Sequence, residues 1–75
     1  METKDFGWAI RKIKEGYKVY RSGWNGKGMW LHLQVPDSGS KMGLPYIYIN
    51  TVNGELVPWI ASQNDLLSED WYIAG

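Results

Sequence analysis

Apolar residues near the N-terminus recur at the spacing of an amphipathic helix. The residues on this apolar face are Phe6, Ile10 and Ile13. Intervals of four and three positions place them on one side of a helix. Thr3 or Asp5 is the predicted N-cap, because a short oxygen-bearing side chain there accepts a hydrogen bond from an unpaired N–H of the first turn. Gly16 follows a lysine-containing turn and suits a C-terminal stop, so we predict a helix over residues 6–15.

The remainder of the chain consists of short β-like runs separated by turn-forming residues. The predicted strands cover residues 18–21, 29–35, 46–52, 56–60 and 71–73. Alternation in the second run assigns Met29, Leu31, Leu33 and Val35 to the core side, and Trp30, His32 and Gln34 to the other side. Asn53-Gly54 is typical of a two-residue hairpin turn. Pro58 predicts either an edge position for its strand or an end of its regular pairing, because proline has no N–H to donate to a neighbour.

A second, shorter helix is predicted near the C-terminus. Ser62-Gln63-Asn64-Asp65 resembles a capping box, with Asp in the position usually held by Glu. A helix of about one or two turns should follow, before the last strand. The chain shows no internal repeat and no linker. The order of elements therefore predicts a single α+β domain over residues 1–75, with an N-terminal helix, an antiparallel sheet of about four to five strands and a short second helix before the last strand.

The composition adds two constraints to this picture. Five Trp, five Tyr and one Phe are hard to bury in 75 residues, and without Cys the chain cannot form disulfides. Aromatic packing and self-association are the expected sources of stability, so we predict an oligomer. Eight basic and eight acidic residues give zero net charge, which argues against a duplex nucleic-acid binder. Neither a signal peptide nor an apolar run of membrane-spanning length is recognisable, so we expect a cytosolic protein with no membrane partner.

Few residues suggest catalysis or metal binding. His32 is the only histidine, and no nucleophile elbow or catalytic Cys accompanies it. Asp65, Glu69 and Asp70 lack a recognisable ligand spacing and are better explained as a helix cap and a solvated face. The glycines over residues 22–28 match neither a dinucleotide-binding fingerprint nor a P-loop. We therefore predict that the protein is not an enzyme and needs neither a metal nor a cofactor.

The residues that suggest binding lie in the glycine-rich loop over residues 22–28. Trp24 offers a flat apolar face for stacking on a base, Asn25 can donate and accept hydrogen bonds, and Lys27 can meet a phosphate. We interpret the loop as a flexible hinge that presents the indole to a purine. A tight β-turn whose Trp caps the core explains the same loop equally well. The later tryptophans, Trp59 and Trp71, leave the same choice between pocket and core.

Several blocks of the sequence carry a family resemblance. They are Phe6-Gly7, Gly23-Trp24-Asn25-Gly26-Lys27-Gly28-Met29, Pro58-Trp59, Ala61-Ser62-Gln63, Asp65-Leu66-Leu67 and Asp70-Trp71. In this order, and over nearly the whole chain, they resemble the phage Thoeris anti-defence two family. The glycine-rich block combined with the later pieces makes the resemblance specific, whereas no single piece would suffice.

The resemblance implies that the protein is a molecular sponge. Thoeris is a bacterial immune system in which a TIR enzyme converts NAD into a cyclic ADP-ribose isomer (gcADPR type) that activates a lethal effector. Proteins of the family bind this signal intact in the cytoplasm of the infected bacterium, so the effector stays silent. They form small α+β protomers that assemble as homotetramers, with ligand pockets between protomers. Some also sequester cyclic dinucleotides of the CBASS pathway at a separate site, which is in doubt here because the loop over residues 36–45 looks short.

The resemblance also implies a set of ligand-binding residues. They are Phe6, Gly7, Trp24, Asn25, Lys27, Met29, Gln63, Asp65 and Trp71. Trp24 would stack on the adenine, and Asn25 would hydrogen-bond the base or a ribose. Lys27 and the first turn of the N-terminal helix would face the pyrophosphate, because a helix N-terminus favours an anion. The last three residues of the set would complete the pocket, from the same protomer or a neighbouring one.

Three other functions fit parts of the sequence. A single-stranded nucleic-acid module would use Trp24, Trp30 and Tyr48 as a stacking platform, although zero net charge disfavours it. A structural interaction protein would use its tryptophans only at a subunit interface. A hydrolase would destroy the cyclic nucleotide that a sponge leaves intact.

Overall fold

The first helix forms where the apolar spacing placed it. In the computed structural model, which describes residues 4–75, helix α1 spans Phe6–Lys14. Its N-cap is Asp5, whose carboxylate accepts a hydrogen bond from a first-turn N–H at 2.9 Å. The alternative cap, Thr3, lies outside the described residues. Gly16 follows the helix with φ of 98°, a left-handed conformation that glycine adopts without strain.

Across the described part of the chain, five strands form one sheet in which every pair is antiparallel. The elements after α1 are β1 (Val19–Arg21), β2 (Trp30–Gln34), β3 (Tyr46–Asn50), β4 (Leu56–Pro58), α2 (Gln63–Leu67) and β5 (Trp71–Ile73). Their order across the sheet is β4-β3-β2-β1-β5, so β4, with Pro58, is an edge strand as predicted. The α+β fold is confirmed, including the capping box between Ser62 and Asp65 at the start of α2.

Helix α1 packs on one face of the sheet and closes the hydrophobic core. The buried apolar side chains are Ala9, Ile13, Val19, Leu31, Ile49 and Trp71. Leu31 and Leu33 of β2 face this core as predicted, and Met29 packs against it. The expectation for Val35 is wrong, because β2 ends at Gln34 and 64% of Val35 is exposed. Beyond the end of the strand, alternation no longer directs a side chain inward.

The β3–β4 hairpin differs from the predicted two-residue turn. The Gly54 N–H donates to the Thr51 carbonyl at 2.9 Å, and the Thr51 N–H donates to the Glu55 carbonyl at 2.8 Å. Gly54 has φ of 81°, and in the described part of the chain no residue other than glycine has a positive φ. These contacts define a three-residue loop, a type I turn followed by a left-handed glycine. The two-residue type I′ turn is wrong because it would need a positive φ at Asn53 as well.

The opposite face of the sheet carries aromatic side chains. This aromatic face consists of Tyr20, Trp30, His32, Tyr46, Tyr48 and Tyr72. The His32 and Tyr48 rings meet edge to face, with 5.8 Å between centroids and a 3.1 Å hydrogen bond between the imidazole Nδ1 and the hydroxyl. Helix α1 packs on the other side of the sheet and contacts α2, so the aromatic rings remain half-buried or exposed in a single chain.

Candidate functional site

A cavity of about 380 Å³ lies beside the glycine-rich loop. It is lined by residues 20–22 and 24–29, which belong to the end of β1 and to the loop that leads to β2. The volume falls within the range of roughly 300–1,000 Å³ that is typical of small-molecule sites. A ligand in this cavity would meet both backbone groups of the loop and polar side chains.

Two glycines shape the loop in different ways: Gly26 allows close packing, and Gly28 allows a left-handed backbone. A Cβ atom at Gly26 would collide with the Val52 side chain and would lie 2.7 Å from Met29 Sδ. Gly28 has φ of 79°, which other residues adopt only with strain. The side-chain amide of Asn50 donates to the Gly28 carbonyl at 2.9 Å and ties the loop to β3. The glycines therefore fit the loop against the β3–β4 hairpin.

Trp24 is anchored within its own chain. Its half-buried ring packs against the core and meets Trp71 edge to face, with 5.5 Å between centroids and 81° between ring planes. Its indole N–H donates to Asp65 Oδ1 at 3.1 Å. These contacts correct the expectation of a flexible hinge that holds the indole out. The cavity nevertheless lies beside the ring, so the remaining indole surface can face a ligand.

Arg21 joins two carboxylates next to the loop. Its Nη1 donates to Asp65 Oδ1 and its Nε donates to Asp70 Oδ1, each at 2.9 Å. Asp70 also accepts a hydrogen bond from the Gly23 N–H at 2.8 Å. Asp65 accepts one from the Ser62 N–H at 3.1 Å as part of the capping box. This ionised cluster of Arg21, Asp65 and Asp70 therefore connects β1, α2, the residue before β5 and the loop.

The contacts within the cluster favour the charged form of each member. Burial raises the pKa of Asp65, but hydrogen bonds from Trp24, the capping serine and the guanidinium outweigh it, so the pKa lies below its ordinary value. Burial also raises the pKa of Asp70 and is outweighed by Arg21 and a loop N–H, so this pKa is lowered too. The hydrogen bond to Asp70 is the main reason why the pKa of Arg21 is raised. All three groups are therefore ionised at neutral pH.

The structure brings four of the predicted ligand-binding residues to the cavity. They are Trp24, Asn25, Lys27 and Met29. Asn25 and Lys27 are exposed, whereas Met29 is half-buried against the core. The amide and the ammonium group are therefore accessible to a solute, while the thioether side forms part of the wall.

The other five predicted residues lie outside the cavity lining. They are Phe6, Gly7, Gln63, Asp65 and Trp71. Phe6 packs against Trp59 and Trp71, with ring centroids 6.1 Å and 5.6 Å apart. Trp71 is fully buried, so in this conformation it supports Trp24 and has no surface to offer a ligand. Gly7 and Gln63 are exposed in the first turns of α1 and α2.

Three residues that line the cavity, Tyr20, Arg21 and Ser22, are not among those predicted from the sequence. The contact between Arg21 and Asp70 is not predicted either. The alternation of β1 contains a signal for Arg21. Val19 faces the core, and a residue two positions later shares its face of the strand. A charged residue at such a position predicts a partner of opposite charge, because an unpaired charge there would be costly. Tyr20 and Ser22 carry no comparable signal.

The single histidine of the chain lies on the aromatic face. His32 contacts the Tyr48 hydroxyl and the Gly16 carbonyl, whereas the ionised cluster includes Asp65 of α2 on the core side. Within residues 4–75, no three His, Asp or Glu side chains are grouped so that they could hold a metal ion. The helices of this part of the chain also lack the length and apolar character needed to cross a membrane.

The fold and the cavity together define a class of protein, a small α+β domain in which a glycine-rich loop and an anchored tryptophan border a cavity of small-molecule size. Comparison with known families then identifies the lineage. Residues 4–74 match the family model of the Thoeris anti-defense 2-like domain, so the chain belongs to this family. The family resemblance predicted from the sequence blocks is confirmed.

One relative matches over nearly the full length of both chains. The protein called Thoeris anti-defense 2, from Bacillus phage SP01, is 40% identical over 87 aligned residues, which cover 97% of this chain and 98% of the relative. Because 87 aligned positions exceed the 75 residues of this chain, the relative carries residues that this chain lacks. The name of that protein describes action against Thoeris defence.

Proposed function

We propose that the protein is a phage anti-defence factor that binds and sequesters the cyclic ADP-ribose isomer signals of Thoeris immunity without cleaving them. Family membership and the name of the matched relative support the anti-Thoeris role. The observation that carries the ligand assignment is the cavity of about 380 Å³ beside the anchored Trp24 ring. Cyclic dinucleotides are a second ligand class within the same proposal.

The chemistry of the cavity matches the parts of a cyclic ADP-ribose. The indole of Trp24 offers an apolar face for the adenine, and base–aromatic stacking contributes about 1–3 kcal/mol per base. Asn25 supplies a donor and an acceptor for a ribose hydroxyl or a base edge. Lys27 supplies a positive charge for the pyrophosphate. Arg21 is a weaker candidate for that role because Asp65 and Asp70 already engage its guanidinium.

A second copy of the chain would complete the enclosure of the ligand. Tyr20 belongs both to the cavity lining and to the aromatic face, so a protomer seated on that face would also border the cavity. Gly7 and Gln63 are exposed but do not line the cavity of their own chain, so they are available to a neighbouring one. The assembly that we propose, a homotetramer with ligand sites between protomers, is the one that the family resemblance implies.

Sequestration suits the charged groups at the site better than cleavage does. A general acid needs a proton to deliver, and a general base needs an oxygen aimed at the substrate. Asp65 and Asp70 are instead ionised and direct their oxygens at Arg21, each at 2.9 Å. A protein that does not cleave the signal must bind it tightly to keep it from the effector. A dissociation constant of 1 nM corresponds to a binding free energy of about −12 kcal/mol, which stacking and charged hydrogen bonds together can supply. The complex would form in the cytoplasm of the infected bacterium, where the signal is made.

Titration calorimetry with a ligand panel tests the proposal. The panel contains cyclic ADP-ribose isomers, cyclic dinucleotides and linear ADP-ribose. Linear ADP-ribose has the same adenine, riboses and pyrophosphate but lacks the bond that closes the large ring. We expect tight binding of at least one cyclic ADP-ribose isomer and recovery of intact ligand after the protein is denatured. Recovery of cleaved ligand would identify a hydrolase instead. Strongly salt-dependent binding of a single-stranded oligonucleotide alone would identify a nucleic-acid module, and no binding at all would favour a structural interaction protein.

A further inference from the structure

We propose that Asp65 is a positioning residue that fixes the orientation of the Trp24 ring and does not itself touch the ligand. The inference rests on the proposed function only for its binding readout, because its first readout uses the ligand-free protein. The family resemblance implies that Asp65 contacts the ligand directly. In the role proposed here, Asp65 acts on the ligand only through Trp24.

Donors from its own chain occupy the carboxylate of Asp65. Oδ1 accepts from the Trp24 indole N–H at 3.1 Å and from Arg21 Nη1 at 2.9 Å, and Oδ2 accepts from the Ser62 N–H at 3.1 Å. These bonds fill three of the roughly four acceptor positions of a carboxylate. The side chain is only 11% exposed, and Asp65 is not among the residues that line the cavity. A ligand would have to displace an internal donor to reach it.

The ionised cluster holds both the backbone before Trp24 and the indole of Trp24 itself. Asp70 accepts a hydrogen bond from the Gly23 N–H at 2.8 Å, immediately before Trp24, and Arg21 links Asp70 to Asp65. The backbone before the ring and the indole N–H are therefore tied to the same cluster. Because Asp65 already accepts the indole N–H, a ligand meets Trp24 through its π face.

Two contacts of different kinds define the plane of the ring. The fully buried Trp71 meets Trp24 edge to face at 5.5 Å, which limits how deeply the ring can sit. An apolar contact of this kind tolerates rotation, whereas the hydrogen bond to Asp65 is directional and restricts it. Stacking benefits from a ring that is fixed in advance, because ordering a side chain on binding costs conformational entropy. Asp65 therefore prepares the Trp24 face before the ligand arrives.

NMR of the ligand-free protein tests the hydrogen bond itself. Trp24→Phe assigns the Trp24 indole N–H resonance by its disappearance. In Asp65→Asn we expect this resonance to shift and its hydrogen exchange to accelerate about fivefold, because a bond to a charged acceptor is stronger than one to a neutral amide. Glu69→Gln removes a negative charge from an exposed residue beside the cluster and should leave the resonance unchanged. An unchanged resonance in Asp65→Asn overturns the proposal.

A double-mutant cycle tests whether Asp65 acts on the ligand through Trp24. The affinity for cyclic ADP-ribose is measured for the wild type, Asp65→Asn, Trp24→Phe and the double variant. We expect Asp65→Asn to weaken binding about tenfold by itself and less than about twofold when it is combined with Trp24→Phe. Equal fold-changes with and without Trp24→Phe would indicate a direct contact between Asp65 and the ligand, and the positioning role would be rejected.

The two readouts separate this inference from the proposed function. If the wild type binds no cyclic ADP-ribose isomer, the proposed function fails, while the Trp24 resonance still decides the positioning role. If Asp65→Asn does not fold, Asp65→Glu serves instead, because it keeps the charge and displaces the carboxylate by one methylene group. We expect Asp65→Glu to shift the same resonance, and an unchanged resonance in that variant counts against the proposal.

Discussion

Arg21 Nη1 lies 2.9 Å from Asp65 Oδ1 and joins the first strand to the second helix across 44 positions of the chain. The two side chains are 15% and 11% exposed, so water screens the contact only weakly. The same guanidinium holds Asp70 at 2.9 Å. Removing one partner of such a contact leaves an uncompensated charge, so the cluster is a place where a single substitution should matter.

Arg21→Met should destabilise the fold by about 3 kcal/mol, because it leaves two partly buried carboxylates without a counter-charge. In a domain of this size, each kcal/mol lowers Tm by roughly 4–8 °C. Differential scanning calorimetry measures the difference. Arg11→Met, at an exposed position of α1, removes the same charge and serves as the control. An equal Tm in the two variants would show that the ionised cluster does not stabilise the fold.

Acid should destabilise the protein through the same carboxylates. Burial raises the pKa of Asp65 and of Asp70, but their hydrogen bonds outweigh burial, and both pKa values are lowered. As the pH falls, the two carboxylates therefore bind protons at a higher pH in the unfolded chain than in the folded one. The stabilisation is complete above the ordinary pKa of 3.8 and is lost as the pH falls through the folded-state values. We expect Tm to fall steeply below about pH 4, with a smaller slope in Asp65→Asn than in Glu69→Gln; parallel curves would contradict the pKa assignment.

Gly26→Ala should force the loop away from the β3–β4 hairpin. The added Cβ would collide with Val52 and would lie 2.7 Å from Met29 Sδ. We expect a loss of about 1–3 kcal/mol, as in other overpacked sites, together with weaker ligand binding. Val52→Ala makes room and should restore part of both losses in the double variant. Gly43→Ala is the control because its Cβ would meet nothing within 4 Å, and a Gly26→Ala variant with the same Tm as this control would disprove the close packing.

Trp24→Ala should abolish ligand binding, and the structure adds a cost in stability. Loss of the ring leaves a space over Trp71 and removes a hydrogen-bond donor from Asp65, so the free energy of unfolding should fall by about 2–4 kcal/mol. Trp24→Phe keeps an aromatic face and should fold with a smaller loss. Calorimetric affinity and Tm, measured for both variants, separate binding from stability. If Trp24→Ala bound the ligand as tightly as the wild type, the stacking role would be refuted.

The sequence predicts the periodic elements well because they depend on near neighbours. Helix α1 and the capping box between Ser62 and Asp65 involve residues within one or two turns of each other. The contacts from Arg21 to Asp65 and Asp70 span 44 and 49 positions. No local pattern specifies which distant carboxylates an inward-facing arginine will meet, so the cluster emerges only from the folded chain.

The same distinction applies to the candidate site. Trp24, Asn25, Lys27 and Met29 are close in sequence, so one loop carries them to one cavity. The anchoring of the Trp24 ring could not be predicted in that way, because its hydrogen-bond acceptor lies 41 positions further along the chain. Glycine in a loop is compatible with both mobility and close packing. Here Gly26 packs against Val52 and the Gly28 carbonyl accepts a hydrogen bond from Asn50, so the loop is held against the hairpin.

The aromatic face is the surface on which we expect a second copy of the chain to sit. Covering its rings removes apolar area from water, which stabilises by about 25 cal/mol per Å². Tyr20 of this face also lines the cavity. Tyr46 lies at the other end of β3 from Asn50, the residue that contacts the loop. The separation along the strand is about 13 Å, so a change at Tyr46 should affect assembly without altering the cavity of its own chain.

Tyr46→Lys should therefore dissociate the oligomer, because a lysine would be costly to bury between two copies of the face. Ligand affinity should fall as well if the partner supplies part of the enclosure. Tyr17→Lys, in the turn after α1 at a position that is 47% exposed, introduces the same charge elsewhere and should change neither property. Sedimentation velocity reports the mass and calorimetry the affinity. A Tyr46→Lys variant that stays oligomeric would place the interface on another surface. A monomer that binds at wild-type strength would mean that the cavity beside Trp24 is complete within one chain.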